Sequence, residues 1–70
     1  MDHREINYRR ACRRIAQVHT RLDEIRRTLD ADIPRDDWET LLIERRQLRE
    51  ERDRLNETIT AHNVYARAIR

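Results

Sequence analysis

Cys12, His3, His19 and His62 are the side chains here that nucleophilic or metal chemistry would draw on. A thiol becomes a working nucleophile when a base stands within hydrogen-bond reach. Cys12 and His19 share one face of a helix but lie about 10 Å apart along its axis. The three histidines show no ligand spacing and read as helix-surface or seam residues, and Cys12 reads as a small, partly buried group. With no glycine, the chain has no loop of the kind that cradles phosphate and little access to the backbone angles that catalytic loops use. The expectation is a protein that is not an enzyme, with no metal, no cofactor and no small-molecule substrate. The chemical resource that remains is the guanidinium group.

All 16 basic residues are arginine. Coding bias would produce that pattern, and so would selection for the planar, forked head in pairing and recognition. Arg9, Arg10 and Arg13 cluster on the outward face of the first helical segment, with Arg4 and Arg14 nearby and Tyr8 and Tyr65 expected near the same end. Phosphate neutralisation together with aromatic stacking would suit RNA. The competing reading is a solvated face laced by the i,i+4 pairs Glu5–Arg9, Asp23–Arg27 and Glu50–Arg54.

Two elements must position these groups. Tyr8, Ala11, Ile15, Val18, Leu22, Ile25 and Leu29 follow the three-four alternation of a heptad seam, which predicts a helix over about residues 2–30. Pro34 in "ADIPRDDW" cannot sit inside a continuing helix. Asp36 with Glu39 three places on forms a capping-box-like restart, so the turn is expected at about 31–35 and a second helix over about 36–68. So short a linker cannot reach the far end of a helix about 40 Å long, so the helices must fold back antiparallel. The fold class is all-α: one domain, 1–70, an antiparallel two-helix hairpin of coiled-coil type.

A chain of 70 residues that is 37% hydrophobic and 43% charged has little material for a private core. Below about 70–80 residues a single core rarely supplies more than about 3–5 kcal/mol. One cysteine cannot close an internal disulfide, so self-association is the expected staple. The longest aliphatic run is Leu41 to Ile43, too short to span a bilayer, and no secretory leader pattern precedes it. A cytoplasmic, reduced, soluble protein is expected. Charge is segregated along the chain: +4 over residues 1–21, −5 over 22–44 and +3 over 45–70. Folding back gives a basic open end and an acidic turn end, and two copies laid antiparallel bring opposite signs together. A homodimeric four-helix bundle follows as the expectation.

Counting in threes and fours from Trp38 reaches Leu41, Arg45, Leu48, Arg52, Leu55 and Ile59, so two arginines occupy seam positions. Arg45, Leu48, Arg52 and Leu55 are accordingly assigned to the dimer interface. Asp23 and Glu24 are placed to reach Arg45, whereas Arg52 faces Ala11–Val18, where there is no acid. Burying an unpaired charge costs several kcal/mol, which leaves three readings of Arg52. Its stem covers the seam while its head reaches water, or it pairs with Glu44, Glu51 or a turn acid of a second copy, or it binds a ligand in an open groove. Trp38, Leu42 and Ile43, with Asp36 and Asp37 beside them, form the candidate partner-binding set, since large apolar groups off a narrow seam either widen a core or anchor a partner. Ile6, Val64 and Tyr65 are similarly displaced.

"LLIERRQLREERDRL", Leu41 to Leu55, is similar to helices of AroQ-type chorismate mutases, from which this chain departs in lacking lysine and a third helix. The paired-helix format resembles Rop-type RNA-binding hairpins, which implies an RNA-binding dimer using Arg9, Arg10, Arg13 and Tyr8. Two helices around "ADIPRDDW" in an arginine-rich chain also resemble the small hairpins with which bacteriophages inhibit host regulators, of the quorum-sensing anti-activator type. That resemblance implies a homodimer in the host cytoplasm that binds the DNA-binding domain of a host transcriptional activator, and a second target such as a pilus-assembly ATPase.

Overall fold

The computed structural model describes residues 3–68, without the side chain of Arg4, and among them every regular element is helical. Helix α1 spans His3–Leu29 and α2 spans Arg35–Ala68. Asp2, where the spacing starts the first helix, lies outside the described residues. The helices pack side by side in a rod of 53 × 16 × 15 Å, whose length matches the 34 residues of α2 at 1.5 Å each.

The turn closes without a single left-handed residue among those described. The Asp30 and Ala31 amides donate to the carbonyls of Arg26 and Thr28 (both 3.1 Å), satisfying part of the carbonyl end of α1. Ile33 precedes proline, where helical backbone is disfavoured, so the chain is forced to break. Pro34 then supplies the carbonyl that accepts from the Trp38 amide at 3.0 Å and opens α2. The second helix therefore begins at Arg35, one residue before the capping-box reading places it. Asp36 and Asp37 lie inside its first turn, where their charge meets the positive end of the helix dipole, and Glu39 pairs with Arg35 at 3.2 Å.

Burial divides the seam of α1 into two rows. Ala11, Val18 and Ile25, seven apart, are enclosed, and Val18 and Ile25 have no exposed surface. Tyr8, Ile15, Leu22 and Leu29, also seven apart, are half-buried. From α2 only Leu48 is enclosed, packed with Val18 and Ile25, while Leu22, Leu29, Leu41 and Leu55 close around them. As placed here, α2 encloses one row of the heptad seam and leaves the other half-buried, with Leu22 and Leu29 packed against the core.

Candidate functional site

The two flanks of the hairpin are built differently. On one, Arg14 donates from Nε and Nη2 to the two Glu51 carboxylate oxygens (2.6 and 2.8 Å), and Arg21 pairs with Glu44 in the same forked manner (2.5 and 3.0 Å). Arginines seven apart on α1 thus face glutamates seven apart on α2. The guanidinium hydrogen bonds hold both carboxyls below the ordinary glutamate range, and the same bonds raise both arginines. Fork-to-fork pairing is directional, so a slip of the helices by one turn breaks both pairs together. This flank sets the register of the hairpin.

On the other flank no ion pair joins the two helices among the described residues. A groove of about 290 Å³ is lined by Arg45, Arg49 and Arg52 of α2 and by His19, Leu22, Asp23 and Arg26 of α1. Asp23, its one carboxylate, is turned to Arg27 at 2.8 Å, and Glu24 to Arg21 at 3.1 Å. The expected pairing of Arg45 with Asp23 or Glu24 is therefore not made: both acids are satisfied within α1. Arg26, Arg45 and Arg49 make no ion pair or side-chain hydrogen bond among the described residues. Arg52 reaches Asp53, its sequence neighbour, at 3.4 Å, a long contact with a carboxylate that is largely in solvent. Both seam arginines are half-buried and line the groove.

The residues assigned from sequence are distributed over this frame. Of the dimer-interface set, Leu48 is enclosed within the single hairpin and Leu55 packs against the same core, which leaves Arg45 and Arg52 on the surface. Of the partner-binding set, Trp38 (44% exposed) and half-buried Leu42 continue the helical stripe of Arg45, Arg49 and Arg52 towards the turn, whereas Ile43 (62% exposed) projects away from it. Asp36 and Asp37 are exposed. Glu44 and Glu51, expected as partners for Arg52 from a second copy, are held within their own chain. Their pairing with Arg21 and Arg14 was signalled by matched seven-residue spacings either side of the seam.

At the open end Tyr8 stacks on His62, with ring centroids 4.0 Å apart and planes inclined by 14°. A hydrogen bond with Cys12 pushes the Tyr8 hydroxyl pKa up. Arg9 is engaged by Glu5 at 2.9 Å, while Arg10 and Arg13 are exposed and make no ion pair among the described residues. Glu50 turns back to Arg46 at 3.6 Å instead of forward to Arg54, whose charge acts on Glu51. A second concavity of about 480 Å³ is bordered by Asn7, Thr58, Ala61, His62 and Tyr65. Cys12 sits with Tyr8 and His19 lines the arginine groove, so each has a neighbour other than the one a thiol mechanism needs. Among the described residues no group of three or more His, Cys, Asp or Glu is placed to hold a metal ion. Among the described residues no helix is long and apolar enough to cross a membrane.

No protein-family model, curated protein or solved structure matches the chain. The functional reading therefore stands on the two flanks, the half-covered seam and the exposed apolar groups of α2.

Proposed function

We propose that the protein is a non-enzymatic protein-binding module, acting as a homodimer and serving as a small inhibitor of a larger protein, such as the DNA-binding part of a host transcriptional activator. The observation that carries this reading is the imbalance between what the hairpin encloses and what it displays. Four residues form the core, while Trp38, Ile43 and Val64 stand 44%, 62% and 60% exposed along one helix. Large apolar groups held on a rigid helix are the anchors that protein interfaces use, at low entropic cost because the backbone is already ordered. Ile43 and Val64 lie away from the groove and suit contact with the larger partner, leaving the groove face for self-association.

RNA remains the second reading, supported by Arg10 and Arg13 at the open end. Against it stands the stack with His62, which takes one face of the Tyr8 ring. The test is capture from host lysate on immobilised wild-type protein beside Ile43→Asp. A defined protein retained by the wild type and lost with Ile43→Asp, at unchanged helicity, is the expected result. Retention that falls steeply with salt and disappears on ribonuclease treatment would assign the module to RNA; capture of neither would overturn both readings.

A further inference from the structure

We propose that the groove face is the docking surface for a second copy of this chain, in which Asp23 and Asp30 of one hairpin enter the groove of the other and meet Arg45 and Arg52. The inference rests on the homodimeric part of the reading above and gives that dimer its register.

The pattern follows the paired flank. There, arginines seven residues apart on one helix meet carboxylates seven apart on another. The groove presents a second such set: Arg45 makes no ion pair among the described residues, and Arg52 has only its long contact with exposed Asp53. The chain carries a pair of acids at that spacing: Asp23 lines the groove, and Asp30, seven residues on, is the exposed residue that directly follows α1. Asp30 makes no ion pair among the described residues, and Asp23 is held by an exposed i,i+4 contact with Arg27 that is weak enough to share.

The axial positions close on one two-fold axis. With 1.5 Å per residue counted from the turn, and Arg21–Glu44 fixing how the helices face each other, Asp30 and Asp23 lie at about 0 and 10 Å and Arg45 and Arg52 at about 15 and 25 Å. When a second hairpin is laid head-to-tail on the groove face, its α1 runs in the same direction as α2 of the first, so both sequences advance together. Arg45 with Asp23 and Arg52 with Asp30 then both require an axis about 13 Å from the turn, level with Leu22. The same axis sets Trp38 of one copy over Arg49 of the other, within reach of a cation–π contact, and sets Leu22 against its symmetry mate. It also covers the half-buried row of Ile15, Leu22 and Leu29 that a lone hairpin leaves open. Full overlap of the two rods is disfavoured, because an axis at mid-rod would stack Arg49 and Arg52 of both copies with no carboxylate facing them. A phosphate backbone in the groove would answer the guanidiniums but leave the apolar row in water.

The test is a charge exchange read by sedimentation equilibrium, with circular dichroism to confirm helicity. Arg45→Glu/Arg52→Glu and Asp23→Arg/Asp30→Arg should each raise the dimer dissociation constant by about 100-fold, since like charges then face one another. An equimolar mixture of the two should form a heterodimer in which both grooves are answered, and one chain carrying all four changes should recover the homodimer. A wild-type dimer unaffected by either double change overturns this register while leaving the homodimer intact. A wild-type protein that stays monomeric at about 100 µM overturns both. A monomer that binds a fluorescent oligouridylate through Arg45 and Arg52 would give the groove to phosphate instead.

Discussion

Ile25→Ala is the sharpest test of where the fold's stability resides. Ile25 has no exposed surface and packs against Val18 and Leu48, with Leu22, Leu29 and Leu41 around them. Truncating a fully enclosed isoleucine costs about 2–5 kcal/mol, and the rigid helix backbones on either side limit collapse into the cavity, so about 3 kcal/mol is expected. A chain of 70 residues at about 0.05–0.15 kcal/mol per residue has about 3.5–10 kcal/mol in total, so one side chain accounts for a third or more of it. At about 4–8 °C per kcal/mol for a domain of this size, the midpoint of the helical signal should fall by about 12–24 °C. Melting should be followed at several protein concentrations, because a second copy stabilises by mass action and would offset the loss at high concentration. Ile43→Ala is the internal control: it is 62% exposed and off the seam, so its effect should stay within about 0.5 kcal/mol. A loss below about 1 kcal/mol at Ile25, or an equal loss at Ile43, would refute the assignment of the core.

Glu44 and Glu51 have folded-state pKa values below their ordinary 4.5, held down by Arg21 and Arg14. A depressed carboxylate stabilises the fold fully above its unfolded value and loses that contribution as pH falls through the folded one. The melting midpoint should therefore drop between about pH 5 and about pH 2, with a smaller drop in Arg14→Gln/Arg21→Gln; equal drops in both proteins would dismiss the two pairs as contributors. Tyr8→Ala removes the stack on His62 and should speed amide exchange in the last turns of α2 while leaving the amides around Leu48 protected, as read by hydrogen exchange. Arg52→Leu adds apolar surface to a half-buried position and removes one groove charge. It should raise the melting midpoint at low concentration and weaken or scramble self-association; no change in either measurement would reduce Arg52 to a solvated side chain.

Both helices and the turn were legible because each rests on a local signal: the three-four spacing from Tyr8 to Leu29, and a proline that no helix interior tolerates. The start of α2 lies one residue before the capping-box position because the Pro34 carbonyl accepts from the Trp38 amide and so opens the helix at Arg35. The Arg14–Glu51 and Arg21–Glu44 pairs were present as matched spacings but not as partners, since pairing across a hairpin depends on a register that only the turn geometry fixes. Arg45 was assigned acids that α1 satisfies internally, and proximity in sequence could not reveal that Asp23 turns to Arg27 and Glu24 to Arg21. The split of the α1 seam into an enclosed and a half-buried row was invisible for another reason. All seven residues fit the same spacing, and which of the two rows is enclosed depends on where α2 lies across the seam.

Leucine at positions 45 and 52 would give α2 an uninterrupted apolar stripe and a more stable hairpin, so the arginines must be weighed against that alternative. An all-apolar face beside Leu22 and Leu29 would associate with any greasy surface in several registers, because dispersion and burial are indifferent to sliding by a heptad. Guanidiniums at those sites charge the face, so that approach in a wrong register meets repulsion or leaves a desolvated charge unpaired, a cost of several kcal/mol. Only an arrangement that brings carboxylates at the matching seven-residue step removes the cost. On the opposite flank that condition is met inside the chain by Glu44 and Glu51, and there the arginines fix how α1 lies against α2. On the groove side the same device is incomplete, because Asp23 is turned to Arg27 and Arg45 makes no ion pair among the described residues. A second copy that brings Asp23 and Asp30 to those arginines, as proposed above, would remove that cost.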